Sequence, residues 1–228
     1  MGWRQAASGY AAVWARDNTR ESIWDAMARK EVYATTGPRI TLRFFGGWAF
    51  EDADANSSEF VPIGYTKGVP MGGDLATEPK RGSVPSFLIA AMRDPLGANL
   101  DRIQVVKGWR DENGDTQERV YDVAWSDPSE RRINPAGRLT PVGNTVNQDD
   151  ATYSNKIGAA ELRTVWRDPD FSPDETAFYY VRVLEIPTPR WTDYDAAVFG
   201  TSLSDESSRL VNQDRAYSSP IWYAPPPG

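Results

Sequence analysis

The chain has 228 residues, with 40% hydrophobic and 12% aromatic side chains, enough apolar matter for a buried core in one β-rich domain, or in one domain plus a fragment of another. It carries 25 Lys+Arg against 32 Asp+Glu, a net charge of -7, which argues against a duplex-binding surface. It has no Cys and no His, so disulfides, thiolate or imidazole metal sites, Cys nucleophiles and the Ser-His-Asp triad are excluded within it. Chemistry here must come from carboxylates, Lys, Tyr or an oxygen-liganded cation.

In chain order, the N-terminal nine residues show no signal-peptide core, and no run reaches the roughly 18 apolar residues of a membrane helix. The first predicted element is a helix from about Asn18 to Arg29. Asn18 is taken as its cap, Glu21 gives a capping-box spacing, and Ile23, Ala26, Met27 and Lys30 recur at helical spacing with Trp24 at the edge. Strands are predicted at 31–36, 39–45, 85–93, 102–109, 117–125, 160–166, 177–186 and 219–223 from short alternating or apolar runs bounded by Gly, Pro, Asn and Asp. Asp111 to Asp115 joins two of them as a hairpin, with Asn113-Gly114 suiting a type I′ turn. The segments 50–84, 126–159 and 187–216 read as ordered loops, and 225–228 as a frayed tail. The fold class is mainly β: an antiparallel, immunoglobulin-like β-sandwich behind one helix and one strand.

Several clusters have candidate chemistry. Asp52, Asp54 and Asn56 have the alternate-oxygen spacing of a calcium loop. Ser57 stands where that loop needs Gly and Ile63 where it needs Glu, so they read as a solvated acidic loop. Asp168, Asp170 and Asp174 could supply a carboxylate pair if one were buried, but Asp-Pro and Ser-Pro are ordinary turn formers. An autonomous carboxylate enzyme would use these acids. Thr36, Gly37 and Arg39 lie in a Gly-Pro turn after the first helix and strand, where Arg39 could hold a phosphate or carboxylate. Lys107 and Arg182, inside apolar strands, read as side chains whose heads face solvent. Asn56-Ser57-Ser58 matches a glycosylation acceptor. Trp191, Tyr194 and Trp222 are candidates for an aromatic binding surface. They are the basis of a second reading, a stand-alone sandwich module for carbohydrate.

Longer phrases are more specific. They include Ala15-Arg-Asp-Asn-Thr-Arg-Glu-Ser-Ile-Trp-Asp-Ala-Met27, Lys30-Glu-Val-Tyr-Ala-Thr-Thr-Gly-Pro-Arg39, Arg43-Phe-Phe-Gly-Gly-Trp48, Asp101-Arg-Ile-Gln-Val-Val-Lys-Gly-Trp109, Ala177-Phe-Tyr-Tyr-Val-Arg-Val-Leu-Glu-Ile-Pro-Thr-Pro-Arg-Trp191 and Ala216-Tyr-Ser-Ser-Pro-Ile-Trp222. Over about residues 8 to 224 the chain closely resembles the C-terminal part of a bacterial domain-of-unknown-function family. That family is similar to the polymerase-and-histidinol-phosphatase (PHP) superfamily and to metal-dependent hydrolases of the carbaryl hydrolase type.

The resemblance implies that residues 1–39 end a PHP-type β/α barrel and that 40–224 form a C-terminal β-sandwich. It implies divalent metal ions for the full-length parent, bound by an N-terminal barrel upstream of this chain, and none held here. No metal ligand and no catalytic residue carries over, because the His ligands have no counterpart. Thr36, Gly37 and Arg39 are then the residues nearest the metal site. The chain is expected to be inactive alone, to partner the barrel, to form a homo-oligomer through exposed apolar surface, and to contact neither nucleic acid nor membrane. The parent is expected in the periplasm or outside the cell.

Overall fold

The computed structural model describes residues 8–77, 79–80, 82–201 and 211–225. The strands are β1 (Tyr10–Val13), β2 (Val32–Thr35), β3 (Thr41–Gly47), β4 (Gly68–Pro70), β5 (Ser86–Met92), β6 (Leu100–Arg110), β7 (Thr116–Trp125), β8 (Glu161–Arg167), β9 (Ala177–Glu185), β10 (Thr188–Pro189), β11 (Val211–Asn212), β12 (Arg215–Ser218) and β13 (Ile221–Tyr223). The helices are α1 (Arg20–Ala28), α2 (Phe60–Lys67) and α3 (Trp191–Phe199), with a 3-10 helix at Asp52–Asn56. Among the described residues no helix is long and apolar enough to cross a membrane.

Two antiparallel sheets make a sandwich. The larger has the order β1-β2-β12-β9-β6-β7, with β13 also on β9; the smaller has the order β4-β3-β5-β8. The mainly-β, antiparallel expectation therefore holds. Alternation along the strands explains the stacking. Leu42, Phe44, Phe87 and Ile89 of the small sheet meet Ile103, Val105, Tyr179, Val181 and Val183 of the large one in a single buried core. The opposite face of the small sheet, at Phe45 and Leu88, is sealed by Phe50, Ala55 and Phe60.

The segment 8–39, which the resemblance assigns to a barrel, supplies edge strands of the large sheet. β1 pairs with β2, and β2 pairs with β12 through Thr35–Ala216 and Tyr33–Ser218.

Local details differ from the sequence reading. Thr19, not Asn18, caps α1, its hydroxyl accepting the Ser22 N–H at 3.2 Å. Only Ala26 of the expected stripe is buried, while Met27 and Trp24 are exposed. The 111–115 turn is not type I′, which needs two positive φ values. Only Gly114 is left-handed, at +86°, and the Asp111 carboxylate accepts the N–H groups of Asn113 and Asp115 at 3.0 and 2.9 Å. The supposed loops hold α2, α3, β4 and β10 to β12. Of the 225–228 tail only Pro225 lies within the described residues.

The loop after β7 is tied down by Arg131, whose guanidinium donates to the Asp101 carboxylate at 2.5 Å and to the Ser126 hydroxyl at 2.9 Å. Gly72 sets another close approach. Its φ is +87°, its N–H reaches the Pro220 carbonyl at 3.0 Å, and a Cβ there would lie 2.3 Å from the Lys30 carbonyl oxygen. Backbone cannot yield as a side chain can. Gly72→Ala is expected to lower the unfolding free energy by about 2 kcal/mol or more, combining left-handed strain and the clash. Urea unfolding followed by tryptophan fluorescence measures it; unchanged stability would mean that α1 shifts away freely.

Candidate functional site

The turn singled out from sequence sits at one end of the large sheet, beside three carboxylates. Thr36 follows β2, and its hydroxyl donates to Asp214 Oδ1 at 2.7 Å while accepting the Arg215 N–H at 2.9 Å. The Arg39 N–H donates to Asp94 Oδ2 at 2.8 Å, and the Leu96 N–H to Asp94 Oδ1 at 2.9 Å. The Arg39 guanidinium lies 5.9 Å from the Tyr10 ring centroid. Gly37 bridges these anchors without a bond of its own to either acid. The turn is thus clamped to the loop after β5 and to the residue before β12.

The third carboxylate is Glu185, the last residue of β9. It is 1% exposed, and its Oε1 has no hydrogen-bond partner among the described residues. Its backbone N–H donates to the Asp214 carbonyl at 2.9 Å, and its carbonyl accepts Gln213 Nε2 at 2.9 Å. Burial, then the charges of Asp214 and Asp94, push its carboxyl up to about 8, so it holds a proton at neutral pH. Burial also raises Asp214, against the opposing hydrogen bonds from Thr36 and Asn212. Asp94 goes the other way, lowered chiefly by the Arg39 and Leu96 N–H groups. Tyr153 and Tyr194 are raised by burial first; the charge of Glu185 adds to the shift at Tyr153 and that of Asp214 to both.

A divalent ion does not fit here. Asp94 and Asp214 direct their oxygens to the Arg39, Leu96, Thr36 and Asn212 donors. Among the described residues no three acidic side chains could together hold a metal ion. What this end of the sheet can do is bind and position: it carries a buried protonated acid, two clamped anions and an exposed Arg39.

The acids of 166–174 are placed differently. Asp168 is fully buried and pairs with Lys107 Nζ at 2.7 Å across the two sheets. The Tyr179 hydroxyl donates to Asp168 Oδ2 at 2.7 Å and the Asp170 N–H to Oδ1 at 2.9 Å. Lys107 Nζ also donates to the Asp170 carbonyl at 2.7 Å. Burial and the Asp168 charge raise Tyr179 strongly. Lys107 therefore points into the core and not to solvent, correcting the sequence reading: it shares the inward parity of Ile103 and Val105, and Asp168 compensates its charge. Asp170 turns outward to Arg119 and the Tyr121 hydroxyl, at 2.8 and 2.7 Å. These are two separate carboxylates, each already paired with one cation and one tyrosine hydroxyl, without a vacant acid–base pair between them.

Asp52 and Asp54 part company too. Asp54 is buried and receives Lys67 Nζ at 2.8 Å, while Asp52 meets Arg167 at 2.8 Å. The solvated-loop reading thus fails for Asp54, because the 3-10 helix turns it inward. The aromatic candidates are not brought together: Trp191 and Tyr194 lie on α3, beyond the C-terminal end of β9, whereas Trp222 pairs with Phe178 at its start.

A cleft of about 750 Å³ also opens between α1 and the small sheet. At its floor Glu31 accepts from the Tyr65 hydroxyl, and from Arg29 and Arg43 at 3.2 and 3.5 Å. The Arg43 guanidinium stacks 3.3 Å from the Trp14 ring centroid. Arg29 and Arg43 thus already have an anion.

Sequence reasoning missed Glu185 and Glu31. Glu185 had a readable signal, since it falls in phase with Tyr179, Val181 and Val183 on the inward face.

Compared with known proteins, residues 1–225 match the family described as Protein of unknown function (DUF3604). No curated protein and no solved structure matches the chain. With all but its last three residues inside that match, the chain belongs to the DUF3604 family of proteins of unknown function.

Proposed function

We propose that this chain is the non-catalytic C-terminal region of a PHP-type metal-dependent hydrolase, phosphoesterase-like and similar to enzymes of the carbaryl hydrolase type. In this reading a preceding barrel carries the divalent ions, and the sandwich supports or covers their site. The observation that carries the reading is the clamped turn. Thr36 and Arg39 are fastened by Asp214 and Asp94 to the sandwich body, and β1 and β2 ahead of the turn lie in the large sheet, so a barrel preceding β1 would join the sandwich at one fixed edge. The absence of His from the sequence agrees with a metal site formed elsewhere. The exposed Trp24 and Met27 on α1 offer apolar surface to such a barrel or to a second copy.

The test compares this chain with its longest upstream extension. Both are assayed on a panel of phosphate esters with manganese or zinc, and both are analysed for bound metal. The expected result is that only the extended protein retains metal and turns over. Hydrolysis or stoichiometric metal in the 228-residue chain alone would overturn the reading.

A further inference from the structure

The outer face of the large sheet carries a second cleft, of about 420 Å³, far from the Thr36 turn along β9. Its floor is made by an unusual pair. Gly108 of β6 lies opposite Phe178 of β9, and a Cβ at 108 would fall 2.3 Å from the Phe178 ring. The missing side chain lets that ring lie down across β6. The Tyr180 ring, 6.5 Å away, is nearly parallel to it at 12°, and the Trp222 ring stands 5.1 Å away, tilted 47°.

Trp222 is 42% exposed yet fixed in place. Its strand pairs with β9 on one side, and on the other the Trp222 N–H and carbonyl bond to Gly73 and Leu75 at 3.1 and 2.7 Å. The rim is polar and already positioned. Arg110 Nε donates to the Gly114 carbonyl at 3.1 Å and Gln117 Nε2 to Asp111 at 2.9 Å, while Glu118 stands exposed beside them.

The geometry points to this cleft as a binding site for a neutral oligosaccharide. Flat aromatic faces match the C–H faces of pyranose rings. Sugar hydroxyls both donate and accept, and the rim supplies both kinds of partner through a guanidinium, an amide and a carboxylate. One cation and one anion on the rim favour neither an anionic nor a cationic ligand, and the net charge of -7 disfavours nucleic acid. A lipid or apolar peptide would cover the exposed Glu118 carboxylate without offering it a hydrogen bond. The rings, Arg110 and Gln117 stand in place before any ligand arrives, which lowers the ordering cost of binding. Of the three aromatic residues singled out from sequence, Trp222 lies in this cleft while Trp191 and Tyr194 lie on α3, and the site stands independently of the hydrolase reading.

Native electrophoresis in gels containing mixed-linkage β-glucan, xylan, galactomannan or dextran tests it, with cellohexaose titration followed by tryptophan fluorescence. At least one polysaccharide is expected to retard the chain. Trp222→Ala is expected to weaken binding at least about tenfold, and Glu118→Ala several-fold, since each removes a contact desolvated by the ligand. Glu118 is exposed, so its variant tests the site even if Trp222→Ala fails to fold. No retardation by any of the four, or equal retardation of wild type and a folded Trp222→Ala or Glu118→Ala variant, would overturn the proposal.

Discussion

Replacing Lys107 with Met is expected to cost about 3–5 kcal/mol of stability, the range for breaking a buried ion pair from one side. The Met side chain fills the volume of the Lys stem but leaves Asp168, fully buried, with only the Tyr179 hydroxyl and the Asp170 N–H. Those two donors cannot replace an ammonium 2.7 Å away. The penalty belongs to the stranded charge more than to the lost attraction. The double variant Lys107→Met with Asp168→Asn, which removes that charge and keeps an acceptor for Asp170, should therefore recover a large part of the loss. Urea unfolding of the two single variants and the double gives the coupling directly. A single-variant loss below about 1 kcal/mol would mean that water reaches Asp168 in solution.

The second large effect is a pH dependence centred on Glu185. Its carboxyl is raised from 4.5 to about 8 in the folded chain. Between those values the folded state keeps a proton that the unfolded state releases. Stability attributable to this group is therefore complete below the unfolded value, falls as pH rises, and levels off above about 8. Asp214, also raised by burial, acts in the same sense. Glu185→Gln cannot ionise and fits the same space. The variant is expected to match wild type near pH 5 and to exceed it at pH 8.5 by a margin on the order of a few kcal/mol. Thermal unfolding at the two pH values measures the difference. A gap that does not change with pH would remove Glu185 as its source.

The central strands were legible because alternation is a local property. Ile103, Val105 and Trp109, or Tyr121, Val123 and Trp125, show their period within a few residues, and β6 to β9 lie close to where that period puts them. α2 escaped because Pro62 and Gly64 interrupt it, and its packing on Phe45 overrides its poor propensity. α3 was hidden in an aromatic stretch between Pro189 and Gly200. β1 and β12 are four residues each, too short to show a period.

For the site, Thr36 and Arg39 could be singled out, but their partners Asp214 and Asp94 lie 178 and 55 residues away, a distance no local pattern spans. Lys107 and Glu185 broke an apolar phase. That phase is a visible clue, which the solvent-facing reading of Lys107 overlooked and which was not applied to Glu185 at all.

The place of β12 has a kinetic consequence. The β1–β2 hairpin joins the large sheet only through β12, whose residues follow those of β2 by about 180 positions in the register Thr35–Ala216. While the chain is being synthesised, that hairpin has no strand to dock on until almost everything else has emerged. Closing so long a loop is entropically costly and comes late, so slow folding dominated by this one non-local event follows from the strand order. Until it closes, the exposed edges of β2 and β9 are open to pairing with another chain.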